Sequence, residues 1–382
     1  MSGTSERALI EAIVETRVRP LVRSMKAYRG SGVRASVRLD ANEAPPLLPT
    51  LTPEERRQWD ATASAIEPAR YPDIRAEALR AAISASIGAS PDSIVIGCGS
   101  DEVIAMLLAT LARTDLATRP VALVPTPTFV MYAVSARLAG FDVVEVPLDA
   151  AFDLDEAAMA EAIVANKPAV VFLATPNNPT SGAFERARVE RLVELAAQQD
   201  PPTLVVIDEA YLAFRRGDGD PWSGATGLDL LARRPNVIVM RTLSKVGLAA
   251  LRVGWLVATP ALAEEIDKTR LPYDLPAASQ ALATLALGPL SPAIERHVAS
   301  IVACRGRLLE ALAALPFVSF GRADGNFVWL KTEAPAVEVA RRLAAHDVAV
   351  RAFPAFPDRL RITIGTDEEH RRLLGALAEV GR

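Results

Sequence analysis

Residues 169–211 read AVVFLATPNNPTSGAFERARVERLVELAAQQDPPTLVVIDEAY, and this stretch decides the fold class. Ala169–Ala174 is a continuous apolar run closed by proline and asparagine, the pattern of a strand covered on both faces. Residues 185–199 follow a helical pattern, and Thr203–Ile207 is a second apolar strand. A strand, a helix and a second buried strand in succession form the repeating unit of a parallel sheet wrapped by helices.

The same alternation extends in both directions. Ser93–Ile96, Val121–Val124 and Val143–Val146 precede the unit, and Asn236–Arg241 and Gly254–Ala258 follow it. Helical patterns fall around 101–113, 128–139, 155–166 and 223–234. The expectation is an α/β fold whose large domain carries a mainly parallel seven-stranded sheet. In such sheets ligands gather beyond the carboxyl ends of the strands. From residue 277 the pattern changes: one long or broken helix over 277–315, strands Asn326–Leu330 and Leu360–Ile364, and helices near 335–346 and 367–380. These predict a smaller α+β domain. The expected boundaries are an N-terminal arm over 1–44 packing with the small domain, a large domain over 45–270 and the small domain over 271–382. Pro45, Pro46 and Pro49, with Thr50, Thr52 and Pro53, read as a connector.

Bulk properties exclude several classes. The 382 residues are half apolar and carry a formal net charge of −4, so no long-range field favours nucleic acid or anionic membranes. Cys98 and Cys304, the two cysteines, have neither the number nor the spacing of a disulfide framework or a zinc site. No apolar run approaches the roughly 20 residues that span a bilayer. The first 20 residues lack a signal peptide's basic start and unbroken apolar stretch. A cytoplasmic chain is expected.

Four features carry chemistry. Gly97-Cys98-Gly99-Ser100-Asp101-Glu102 joins a strand to a helix start, where free backbone amides hold an anion. Thr175-Pro-Asn-Asn-Pro-Thr180 makes a rigid turn able to aim an amide at a ligand oxygen. Asp208 ends a buried strand, where a carboxylate is costly without a cation or hydrogen bonds. A protonated pyridine nitrogen is one such cation, and the pairing makes the ring an electron sink; Tyr211, three residues on, could hold a ring oxygen. Finally, Ser244-Lys245 follows a strand, with Arg252 seven residues later. A Schiff-base lysine must be partly deprotonated, which nearby cations and desolvation favour, while hydroxyls and a guanidinium suit a phosphate. Taken singly, each has a plainer alternative: a capped turn, an Asn-Pro turn, a helix start, a surface lysine. Together, each at a strand end and in this order, they point to one site.

With these motifs on the page, the chain resembles the histidinol-phosphate aminotransferases, a branch of the fold-type-I pyridoxal-phosphate (PLP) transferases. The likeness runs from about Val18 to the C-terminus and rests on Leu39-Asp-Ala-Asn-Glu43, Arg70-Tyr-Pro-Asp73, Gly99-Ser-Asp-Glu102, Pro127-Thr-Phe-Val-Met-Tyr132, Pro176-Asn-Asn-Pro-Thr180, Asp208-Glu-Ala-Tyr211, Thr242-Leu-Ser-Lys245 and Leu360-Arg-Ile-Thr-Ile-Gly-Thr366. The resemblance implies that Lys245 carries PLP and shuttles the proton. It implies that Asp208 pairs with the pyridine nitrogen, that Asn178 and Tyr211 hold the ring oxygen, and that Phe129 covers the ring. Ser100, Asp101, Ser244 and Arg252 would bind the phosphate, joined by Tyr71 from the partner of a homodimer with shared sites. Arg361, Arg351 and Asn42 would hold substrate, Arg361 taking the donor carboxylate and Arg351 the phosphate of histidinol phosphate. Two departures stand out: Ser181 looks like an insertion in the asparagine turn, and Phe129 stands where members often carry Tyr. The implied reaction is transamination between L-histidinol phosphate and 2-oxoglutarate. The alternatives are a broad aromatic amino-acid aminotransferase, a PLP decarboxylase of a phosphorylated amino acid, and a non-catalytic ligand-sensing protein.

Overall fold

The computed structural model describes residues 3–25, 27, 32–112, 119–215, 221 and 223–380. The chain forms two units, divided between Gly32 and Val33. The first holds the helix Gly3–Arg17 and the short helix Pro20–Ser24, with Leu9, Ile10, Ile13 and Val14 exposed on the longer one.

The second unit is built on twelve strands among the described residues: β1 (Val37–Leu39), β2 (Ile94–Cys98), β3 (Val121–Thr126), β4 (Asp142–Pro147), β5 (Val170–Ala174), β6 (Leu204–Asp208), β7 (Val237–Thr242), β8 (Val253–Val257), β9 (Val318–Phe320), β10 (Phe327–Thr332), β11 (Val348–Phe353) and β12 (Phe356–Thr363). Seven form one sheet in the order β2-β8-β7-β6-β5-β3-β4, and five form another in the order β1-β11-β12-β10-β9.

All seven strands expected from the sequence for the large sheet are present in it. Only β8 runs against its neighbours, pairing antiparallel with β2 and β7. Successive residues of one strand point to opposite faces, and both faces are covered. Ile94, Ile96, Val171, Leu173, Val205, Ile207, Val237 and Val239 enter one apolar cluster. Val95, Val170, Phe172, Val206, Ile238 and Met240 enter another. Each such side chain contributes about 1.5–3 kcal/mol when fully buried, which is why these strands read as unbroken apolar runs.

Elsewhere the structure corrects the sequence reading. Pro53 is no connector residue; it begins the helix Pro53–Ser64. Thr52 caps that helix, accepting from the Glu55 amide while the Glu55 carboxylate accepts from the Thr52 amide, a reciprocal pair that fixes a helix start. The stretch 277–315 is two helices, Ala277–Leu287 and Ser291–Ala313, parted by Gly288 and Pro289. The helix expected over 223–234 shrinks to Gly227–Leu231. The sequence reading missed β1, β9 and β11, of which β1 and β9 are only three residues long; strands that short have no periodicity of their own and exist through their pairing. No helix among the described residues is long and apolar enough to cross a membrane.

Candidate active site

The parallel strands deliver their successors to one edge of the large sheet. Gly99 follows β2, Pro127 follows β3, Thr175 follows β5, and Glu209 follows β6. The turn Ser244–Leu248 follows β7 by one residue. Because β8 is antiparallel, its beginning lies at this edge as well, which places Arg252 beside the ends of β2 and β7. One reversed strand thus adds a cation to an edge that would otherwise present only strand ends.

A cup with the chemistry of an anion site forms here. The helix Ser100–Leu111 starts at the edge, and first-turn amides of a helix lack intrahelical acceptors. Arg252 Nη1 lies 3.4 Å from Ser244 Oγ and its Nη2 3.4 Å from Asp101 Oδ2. Thr242 Oγ1 lies 2.9 Å from Ser244 Oγ. Two glycines permit the convergence. A Cβ on Gly254 would collide with the Ser100 amide nitrogen, and one on Gly99 with the Arg252 guanidinium. Amides, two hydroxyls and a guanidinium suit a phosphate dianion. Among the described residues no cluster of three or more His, Cys, Asp or Glu could hold a metal.

Beside the cup, Asp208 is buried at the end of β6. The Tyr132 hydroxyl donates to Oδ2 at 2.5 Å and the Ala210 amide to Oδ1 at 2.9 Å. Burial pushes its carboxyl up to about 6, against the Tyr132 and Ala210 hydrogen bonds and the Lys245 charge, which all pull it down. Such a carboxylate calls for a cation, and a protonated ring nitrogen fits that need. Tyr132 is itself buried, stacked on Phe172 at 4.8 Å and edge-on to Phe129 at 5.5 Å. The sequence reading quoted Tyr132 without giving it a role; only the fold shows that it meets a residue 76 positions away.

Lys245, half-buried in its turn, sets Nζ 5.7 Å from the centre of the Tyr211 ring. The Tyr211 hydroxyl accepts from Asn42 Nδ2 at 3.0 Å. The two asparagines of the proline turn divide their work. Asn177 ties the turn to its neighbours, donating to Pro127 O and Thr180 Oγ1 and accepting from Thr128 Oγ1. Asn178 faces the small sheet, where its Oδ1 accepts from Arg361 Nη1 at 2.7 Å.

The small sheet adds cations. Arg361 on β12 stands directly opposite Trp329 on β10 and Arg351 on β11, so the three share one face. Arg361 donates to Asp40 O at 2.8 Å and lies 5.8 and 5.7 Å from the Phe327 and Phe353 ring centres. Arg351 lies 6.0 Å from Phe353. Tyr71 is apart from all of this, 80 % exposed and stacked on Tyr273 at 4.6 Å. A lysine, a buried carboxylate, an anion cup and a guanidinium on aromatic walls together suit an anionic ligand that carries a cationic ring.

Comparison with known proteins gives the family. Residues 36–377 match the family described as aminotransferase class I and II. The chain belongs to that family. A histidinol-phosphate aminotransferase of Paracidovorax citrulli (strain AAC00-1) is 37 % identical over 371 residues, covering 94 % of this chain and 96 % of the relative. One from Methylibium petroleiphilum is 38 % identical over 367 residues, covering 94 % and 93 %. The fold of this aminotransferase matches the crystal structure of histidinol-phosphate aminotransferase from Sinorhizobium meliloti in complex with pyridoxal-5'-phosphate. The TM-score is 0.81 at 24 % identity, covering 96 % of this chain and 97 % of that one.

Proposed function

We propose that this aminotransferase uses pyridoxal 5'-phosphate to exchange an amino group between L-histidinol phosphate and 2-oxoglutarate, giving imidazole-acetol phosphate and L-glutamate. The observation that carries the chemistry is the buried Asp208 carboxylate at the strand edge that also holds Lys245 and the anion cup. Near-full-length identity to enzymes named for histidinol phosphate supports the substrate. When bound, the cofactor supplies an electron-withdrawing pyridinium that acidifies the substrate Cα–H.

The residues divide the remaining tasks. Ser100, Asp101, Ser244 and Arg252 hold the phosphate. Asp208 would pair with the ring nitrogen and keep it protonated, and Tyr132 and the Ala210 amide hold Asp208. Asn178 and Tyr211 would hold the ring oxygen, Phe129 would cover the ring, and Lys245 Nζ would serve as the base for the substrate Cα proton. Arg361 receives the glutamate carboxylate, since a planar guanidinium matches it in two hydrogen bonds. Arg351 receives the substrate phosphate, with Asn42 bracing the pocket through Tyr211. Tyr71, exposed in one chain, reaches the phosphate site of a second copy, making the active form a homodimer with shared sites. The same reading makes 1–44 an arm, 45–270 the cofactor domain and 271–382 the small domain of a cytoplasmic enzyme.

The test is steady-state kinetics of the PLP-loaded protein with 2-oxoglutarate as acceptor, comparing histidinol phosphate with phenylalanine. The expected result is a much larger kcat/KM for histidinol phosphate. The opposite order would make it an aromatic aminotransferase, and CO2 release without keto-acid formation would make it a decarboxylase.

A further inference from the structure

The sequence reading left Ser181 as an unexplained departure in the asparagine turn. In the structure it is fully buried, with φ of +66°, a backbone state that favours glycine. A side chain held there at a steric disadvantage has a task to perform. Its hydroxyl donates to Phe327 O at 2.6 Å and accepts from the Gly325 amide at 3.2 Å. Its carbonyl accepts from the Asp324 amide at 2.8 Å, while its own amide donates back to Asn177 O at 2.8 Å. Three of its four hydrogen bonds therefore cross from the turn to the segment that leads into β10. A parallel contact lies alongside, where the Ala183 amide donates to Asp324 Oδ2 at 2.8 Å.

The turn thus holds the small sheet at two points. Asn178 grips Arg361 on β12, and Ser181 grips the carbonyl of Phe327 on β10. The Phe327 ring meets Tyr211 edge-on at 4.9 Å and lies 5.8 Å from the Arg361 guanidinium carbon. It is the packed spacer between the residue proposed to hold the cofactor ring and the residue proposed to hold the substrate carboxylate. β10 and β12 are adjacent and antiparallel, so a shift of Phe327 carries over to Arg361.

We propose that Ser181 is a positioning residue, which clamps β10 to the asparagine turn and thereby sets the distance of Arg361 from the cofactor pocket for a carboxylate-bearing substrate. The proposal rests on the transaminase reading above for its substrate, and on geometry alone for the clamp. It accounts for a buried hydroxyl at a strained backbone position, which a plain turn does not require.

Ser181→Gly and Ser181→Ala test it together. Glycine removes the hydroxyl and relieves the backbone; alanine removes the hydroxyl and keeps the strain. If the hydroxyl is the clamp, both variants raise the KM for glutamate about tenfold while kcat stays within about twofold. Amide hydrogen exchange at Asp324 and Gly325, followed on the protein as purified, speeds up by about tenfold or more in both. A glycine variant with wild-type KM and wild-type exchange overturns the proposal, because the position would then serve turn geometry alone. Faster exchange with an unchanged KM overturns it too, since the loop would be anchored without effect on Arg361. Should wild-type protein fail to use glutamate, the proposed reaction falls, and the KM for whichever carboxylate donor it accepts, read with the exchange, still decides the clamp.

Discussion

The edge of the large sheet and the face of the small sheet build their parts of the site in different ways. At the large sheet each chemical residue sits within a few positions of a strand end, so its place follows from local sequence: Ser100 after β2, Asn178 after β5, Asp208 closing β6, Lys245 after β7. At the small sheet the residues lie inside strands, and their meaning comes from pairing. Arg351 and Arg361 are ten positions apart in the chain but directly opposite in register. On the proposed reading, the first region supplies the chemistry and the second chooses what is bound. Mutations in the first should therefore act on turnover, and those in the second on KM.

The largest effect is expected at Lys245. Lys245→Ala should lower transamination by about 10^4-fold or more, the upper range for losing a positioned acid–base group, and abolish the visible absorbance of lysine-bound cofactor. Retained turnover would break the division between the two regions at its root.

Asp208→Asn comes next, with kcat falling by about 10^2–10^4-fold. It carries a distinctive pH signature without cofactor. The Asp208 carboxyl is raised from 3.8 to about 6 in the fold, mainly by burial. A raised carboxyl binds its proton more tightly when folded, so ionisation costs stability. That cost is absent below about pH 4, grows between pH 4 and 6, and is complete above 6. Urea unfolding of the cofactor-free protein should then show Asp208→Asn gaining on wild type as pH rises from 4 to 7. A constant difference across that range would contradict the assignment.

The small sheet supplies a smaller, sharper contrast. Arg361→Lys should raise the KM for glutamate about 10- to 100-fold, in keeping with about 1.5–3 kcal/mol for a hydrogen bond to a charged group, with little change in kcat. Arg351→Ala should raise the KM for histidinol phosphate more than that for glutamate. Equal effects on both substrates would erase the distinction between the two arginines.

The smallest effect is expected at Tyr132, which meets the site through its hydrogen bond to Asp208 and its edge contact with Phe129. Tyr132→Phe should reduce kcat by about tenfold, as for one lost hydrogen bond to a charged group. Because the Tyr132 hydroxyl pulls the Asp208 carboxyl down, its removal should move the pH window for unfolding upward. A window that stays in place would leave Tyr132 as packing alone.

Much of this protein is legible in its sequence. Seven strands, the order of four motifs and the lysine could be read because each depends on residues close in sequence: an apolar run, a breaker, a helix start. Thr52 and Glu55 were readable on the same terms, yet the prolines around them suggested a connector. What lay beyond reach was every relation made across the chain. The union of Tyr132 with Asp208, the bond from Asn42 to Tyr211, the pairing of β1 with β11 and the face shared by Trp329, Arg351 and Arg361 all join distant segments. Ser181 shows the limit most clearly: in sequence it is a departure within a turn, and in the fold it bonds to a carbonyl 146 positions away. Local patterning by itself determined the large sheet and which residues stand at its edge, because hydrophobic period and turn residues act over a few positions. The tertiary structure alone decided how the small sheet is held against that edge, because hydrogen bonds between buried groups exist only once both partners have been brought together and water excluded.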